Sequence, residues 1–148
     1  MKRKMTAIAG ATVAGMLALT GGTGAAMGAD AGKIMQKTIH SGSLLFASSS
    51  LGSNGRSCMT CHRGGGMVQG RLPNGKIIPS LKGVAAKFPQ YNARAGKVIT
   101  LDMRINSCIQ NALGGMPLSF NGKRMVSMVS YLTSLSEGDR IHLAGAKS

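Results

Sequence analysis

Residues 57–62 read SCMTCH, two cysteines separated by two residues with a histidine directly after the second. This spacing suits a covalently held haem for a geometric reason. The two thiols add to the two vinyl groups on one edge of the porphyrin, and the histidine that follows then lies beneath the iron as an axial ligand. Cys58 and Cys61 are the candidate attachment points and His62 is the candidate proximal ligand. Two other readings use the same residues: a Cys58–Cys61 disulfide and a structural zinc site. A redox C-x-x-C usually opens a helix in a βαβ unit, and no strand pattern precedes this one. A zinc site needs four ligands, and the other histidines, His40 and His142, give no finger-like spacing. One haem c, covalently attached, is the expected cofactor.

The 148-residue chain has room for one small domain. It opens on MKRK, a compact positive segment, followed by the apolar run MTAIAGATVAGMLALT and a patch of small residues, GGTGAAMGAD. This is the layout of a signal peptide, expected over residues 1–29 with cleavage between about 26 and 29. Residues 30–148 are then the mature domain, and a periplasmic location follows. A membrane anchor is the rival reading, but the run is rich in Gly and Ala and only weakly hydrophobic. No later stretch is apolar enough to span a bilayer, so the processed chain is not expected to be an integral membrane protein.

Removing Lys2, Arg3 and Lys4 lowers the formal charge from +14 to +11, fifteen basic residues against four acidic. That balance favours anionic partners such as acidic proteins, small anions or a membrane surface. Nucleic acid is not expected as a partner, since an exported chain with two Tyr, three Phe and no Trp has little with which to stack bases. The same shortage leaves few large side chains to fill a core. A haem would bring a large apolar plate and compensate.

Along the chain, AGKIMQKTIHSGSLLFASSS reads as a helix with Ile34, Met35, Ile39, Leu45 and Phe46 as its apolar positions. Gly42 interrupts it, a cost in helix stability that allows a second helix to approach closely. From Arg63 to Tyr91 the chain is rich in Gly, Pro and basic residues and reads as irregular wrapping, with a short helical turn around SLKGVAAKF. So long a loop fits a compact domain only if it surrounds a ligand. TLDMRINSCIQNALGG is the clearest helix, with Thr100 as N-cap, Asp102 in the first turn and Gly114-Gly115 as the stop. Its apolar stripe is expected to run through Leu101, Ile105, Cys108 and Ala112. A last helix over 122–136 carries Met125, Met128, Val129, Leu132 and Leu135 on one face. Short helices and long irregular loops around one haem make an all-α fold.

The sixth iron ligand is open at this level. Thioether ligation is common in electron carriers and raises the potential. Met116, in GGMPL just past a helix stop, is the methionine best able to reach an iron, with Met67, Met103, Met125 and Met128 behind it. Cys108, the third cysteine, is the competitor. Buried, it would act as a small hydrophobe; in an oxidising compartment a free thiol is a liability unless it is used. Arg104 lies one turn earlier and would favour a thiolate.

The residues resemble a known family. GSLLF, SCMTCH, the long stretch from GKIIPS to GGMPL at 75–118, and MVSMVSYLTSL together are similar to a class I c-type cytochrome, the catalytic haem domain of the thiosulfate dehydrogenase family. The narrower part of the match is Tyr91-x-x-Arg94, then R-I-N-x-C at 104–108 and GG-x-PL at 114–118. The resemblance implies a cytochrome c fold whose first and last helices cross near Gly42, Phe46 and Tyr131. It also implies His/Cys ligation, with Cys108 the distal ligand and site of sulfur chemistry. Arg94 and Arg104 then hold a small sulfur anion such as thiosulfate, which is coupled oxidatively to tetrathionate. Family enzymes carry two haem domains, whereas this chain has one C-x-x-C-H motif. A separate redox partner, another cytochrome, is therefore expected. The alternative is a non-catalytic electron-transfer cytochrome or haem subunit with His62 and Met116 as ligands, docking on an acidic protein. A haem sensor or storage protein is a weaker third reading.

Overall fold

The computed structural model describes residues 23–141. The expected signal peptide lies mostly outside them, and its expected cleavage region, residues 26–29, falls at the start of the first helix. Four helices follow in order: α1 Thr23–Ala47, α2 Cys58–Cys61, α3 Leu101–Leu113 and α4 Lys123–Ser134. Between α2 and α3 come four short strands, β1 Gly70–Arg71, β2 Ile77–Ile78, β3 Gln90–Asn92 and β4 Lys97–Ile99. Among the described residues no helix is long and apolar enough to cross a membrane.

The first and last helices pack where Gly42 allows it. A Cβ at Gly42 would overlap the Ser127 carbonyl oxygen and stand 2.6 Å from the Tyr131 Cβ. Only a residue without a side chain lets two backbones approach this closely. One turn on, Phe46 is 2% exposed and its ring lies 5.4 Å from that of Tyr131. The core continues through Leu51, Ile105, Ile109, Leu113, Met125, Met128 and Leu132. Earlier in α1 the expectation fails: Ile34 and Met35 are exposed, because α4 covers only the second half of the helix face.

Helix α3 begins after Thr100 and stops at Gly114, whose φ of 65° is the left-handed conformation that glycine adopts without strain. Its buried stripe differs from the expected one. Leu101, Ile105, Ile109 and Leu113 form it, Cys108 stands at its border and Ala112 is exposed. The apolar pattern admits both stripes, and the position of α4 decides between them.

The all-α expectation needs a second correction. β1 pairs with β2 and β3 with β4, each antiparallel, giving one short hairpin within the stretch expected to be irregular and a second that starts at its end and runs beyond it. In the first, the Gly75 N–H donates to the Leu72 carbonyl at 2.9 Å and Gly75 has a φ of 81°. In the second, the Asn92 side-chain oxygen accepts from the Arg94 and Ala95 N–H groups at 3.0 and 3.2 Å. The expected turn near SLKGVAAKF is a single 3-10 turn over Ala85–Lys87.

Candidate haem site

The attachment motif is one helical turn. Ser57 precedes it, and the Ser57 N–H donates to the Thr60 hydroxyl at 3.0 Å, which satisfies an otherwise orphaned donor at the helix start. A single turn sets Cys58 and Cys61, three residues apart, on one side. The His62 N–H then closes onto the Cys58 carbonyl at 2.9 Å. All three cysteines of the chain are free and half-buried.

Three neighbours hold this turn in place. Strand β1 crosses it so closely that a Cβ on Gly70 would overlap the Cys61 carbonyl oxygen. Behind it, the Gly66 N–H donates to the His62 carbonyl at 3.2 Å, and the Tyr131 hydroxyl donates to the Gly65 carbonyl at 2.6 Å. Ahead of it, the loop from Gly52 to Asn54 caps the C-terminus of α3. The Ser53 N–H donates to the Leu113 carbonyl at 3.0 Å and its hydroxyl to the Gly114 carbonyl at 2.8 Å. Asn54 Nδ2 reaches the Ala112 carbonyl at 3.0 Å. The helix bearing Cys108 and the turn bearing Cys58 are thereby tied together through α3's own unpaired carbonyls.

His62 is half-buried, its ring centroid 6.4 Å from that of Phe46. Its Nδ1 is buried with no partner in hydrogen-bonding geometry, although the Pro79 carbonyl is near enough to oppose a fall in basicity. Burial, followed by the field of Arg104, nonetheless pulls the imidazole below its ordinary pKa. Burial first and the neighbouring Cys108 second likewise push the Cys58 thiol up to about 11. The Cys108 thiol is also raised, again chiefly by burial, with Arg104 pulling it down and Cys61 pushing it up. Arg104 thus favours the thiolate, as its spacing suggested, but burial outweighs it and the net shift is upward.

These couplings bring Cys58, Cys61, His62, Cys108 and Arg104 into one electrostatic neighbourhood. Arg94 is exposed on the turn between β3 and β4, where its N–H donates to the Asn92 side-chain oxygen. Met116 is 84% exposed, whereas Met125 and Met128 are core residues. His40 is exposed, and His142 lies outside the described residues. One residue of the site had no sequence signal: Asn106 is a buried amide on α3, paired on both of its groups with the backbone of Leu118. Only its polar identity at a core position hinted at a partner.

The residues present fit a covalently held haem. Two free thiols stand three positions apart, and the imidazole after them has one buried nitrogen without a partner. Apolar side chains also remain in the open beside the motif: Met59 within it, Met67 and Val68 just after it, and Ile77 on the strand paired with β1. A porphyrin plate is the kind of group that covers such a surface.

Comparison with known proteins agrees with this arrangement. Residues 41–141 match the family described as SoxA/TsdA, cytochrome c domain. A thiosulfate dehydrogenase of Allochromatium vinosum is 36% identical over 85 residues, 57% of this chain and 30% of that protein. The L-cysteine S-thiosulfotransferase subunit SoxA of Rhodovulum sulfidophilum is 29% identical over 93 residues, 63% of this chain and 28% of that protein. The chain thus spans under a third of the length of these relatives. Among solved structures, the thiosulfate dehydrogenase TsdBA of Marichromatium purpuratum superposes with a TM-score of 0.58 at 18% identity, covering 71% of this chain and 24% of that one. SoxXA of P. pantotrophus gives 0.58 at 21% identity, covering 73% and 36%. Both likenesses are of fold, and the fold is that of cytochrome c.

Proposed function

The chain belongs to the SoxA/TsdA cytochrome c domain family, and from that premise we propose that it is an exported monohaem c-type cytochrome of sulfur-compound oxidation. Residues 1–29 act as its signal peptide and residues 30–148 as a periplasmic domain. A cytochrome c domain binds haem c covalently; here Cys58 and Cys61 would carry the thioethers, and His62 and Cys108 would be the residues that hold the iron. When bound, the haem supplies a one-electron acceptor at this site.

The protein's own side chains bind and orient the substrate. Arg104, exposed one turn before Cys108, and Arg94, on the β3–β4 turn, hold thiosulfate or a related dianion by charge-assisted hydrogen bonds. Arg104 also offsets part of the burial that raises the Cys108 pKa and so favours the thiolate, the form able to meet a sulfur substrate. Coupling of two thiosulfates forms one S–S bond, releases two electrons and consumes no proton. One haem would take only one electron at a time, so a partner cytochrome is needed to carry them onward. The basic surface suits an acidic docking face.

The observation that supports this reading most is the electrostatic coupling of Cys108 to Cys58 and Cys61, which ties the third thiol to the attachment turn. The sulfur substrate class rests on the relatives. The alternative carrier, ligated by His62 and Met116, has less support because Cys108 is half-buried and coupled to Cys58 and Cys61, whereas Met116 is 84% exposed with no such tie. The test is to add thiosulfate anaerobically to the oxidised holoprotein, with sulfate as the control anion, and follow haem reduction. Reduction by thiosulfate that is lost in Cys108→Ala is expected. A haem that stays oxidised, with an added acceptor cytochrome also left unreduced, would exclude catalysis.

A further inference from the structure

Asn106 lies on α3 between Arg104 and Cys108 and is 6% exposed. Its Nδ2 donates to the Leu118 carbonyl at 2.9 Å, and its Oδ1 accepts from the Leu118 N–H at 2.8 Å. A buried amide paired on both groups with one residue is a two-point clamp. Neither group can leave without a polar atom being stranded away from water.

The loop held by this clamp is also fixed at its other end. The Gly115 N–H donates to the Ile109 carbonyl at 3.0 Å, and a Cβ on Gly115 would overlap the Leu51 carbonyl oxygen. Only Met116 and Pro117 lie between the two anchors, and proline fixes its own φ. Met116 is left 84% exposed. It is eight residues from Cys108, close enough along the chain for a freed loop to bring its sulfur to the site Cys108 serves.

We infer that Asn106 is a positioning residue that selects the distal ligand: by clamping Leu118 it keeps Met116 off the iron and leaves that place to Cys108. The inference rests on the reading of Cys108 as the distal ligand. Asn106 touches neither iron nor substrate and acts through the loop. A thioether is a competent haem ligand, so a nearby methionine has to be restrained if a thiolate is to hold the position.

The experiment compares optical and electron paramagnetic resonance spectra of the oxidised holoprotein in wild type, Asn106→Ala, Asn106→Asp and the double variant Asn106→Ala/Met116→Leu. The wild type is expected to lack the methionine-to-iron charge-transfer band at the red edge of the visible spectrum. Asn106→Ala gains that band, loses thiolate signal in proportion and shifts to a higher potential. Asn106→Asp, which keeps the acceptor for Leu118 N–H, shows a smaller change, and the double variant loses the band again. A merely structural role for Asn106 moves none of these in a Met116-dependent way. If Asn106→Ala does not fold, amide exchange in the wild-type holoprotein decides: Leu118 exchanges far more slowly than Met116 if the clamp holds, and as fast if it does not. A thiolate spectrum unchanged in a folded Asn106→Ala overturns the inference alone. A methionine band already present in the wild type overturns the Cys108 reading as well.

Discussion

The Tyr131 hydroxyl, on α4, donates to the Gly65 carbonyl at 2.6 Å, three residues after His62. The last helix is thereby joined to the backbone directly behind the haem-attachment turn, while the same ring packs on Phe46. Tyr131→Phe keeps the ring and removes only the hydroxyl. The expected loss is about 0.5–1.5 kcal/mol of stability, plus the cost of a carbonyl left short of a partner. Chemical denaturation of the holoprotein measures it, and an unchanged midpoint would mean that the bond contributes nothing.

Gly42 is the point of closest approach between α1 and α4. Gly42→Ala inserts a methyl where the Ser127 carbonyl already lies, so the helices must part. Overpacking of this kind costs about 1–3 kcal/mol. The better helix propensity of alanine returns about 1 kcal/mol at most. A net fall in the denaturation midpoint is expected. A gain would show that the crossing is looser than the contact implies.

Two groups of the attachment turn shape the pH profile of the haem-free polypeptide, beside the raised Cys108 and Tyr131. Cys58 is raised from 9.0 to about 11, so its contribution to stability is full below pH 9 and is lost as the pH climbs toward 11. His62 is lowered from 6.5, so its contribution is full above that value and is lost as the pH falls through the depressed pKa. Denaturant titrations of the haem-free chain should show stability declining at both ends. In the holoprotein a thioether at Cys58 and an iron-bound His62 would no longer titrate, so the acid decline should disappear and the alkaline one should shrink to the part that Tyr131, raised by burial, contributes. Equal profiles with and without haem would contradict the assignment of these two residues.

Arg104 and Arg94 stand on different ground. Arg104 is coupled electrostatically to both His62 and Cys108, whereas Arg94 enters through resemblance. Arg104→Gln should weaken thiosulfate-dependent haem reduction by roughly ten- to a hundredfold in kcat/KM, the equivalent of one charged hydrogen bond. Arg94→Gln should do the same if the β3–β4 turn closes over the substrate. An effect confined to Arg104 would remove Arg94 from the site.

What the sequence made legible was local. SCMTCH carries its own spacing, and α3 announced both ends through Thr100 and Gly114. The hairpins were harder to read because their strands are two or three residues long, too short for an alternating pattern. Asn74-Gly75 and Ala95-Gly96 were the turn signals present. The side of α3 that faces the core was not readable from its period, since both stripes are apolar and only the packing of α4 chooses Ile109 over Cys108. Asn106 was invisible for a related reason. Its partner is twelve residues away on a loop, and nothing in either segment names the other.

The ligation of the iron decides the rest of the account, and one spectrum reads it directly. The measurement is the electron paramagnetic resonance spectrum of the oxidised holoprotein, recorded for wild type and Cys108→Ala. Thiolate ligation predicts a low-spin signal of small anisotropy in the wild type that is lost on substitution. A wild-type spectrum typical of histidine–methionine ligation, unchanged in Cys108→Ala, would contradict it.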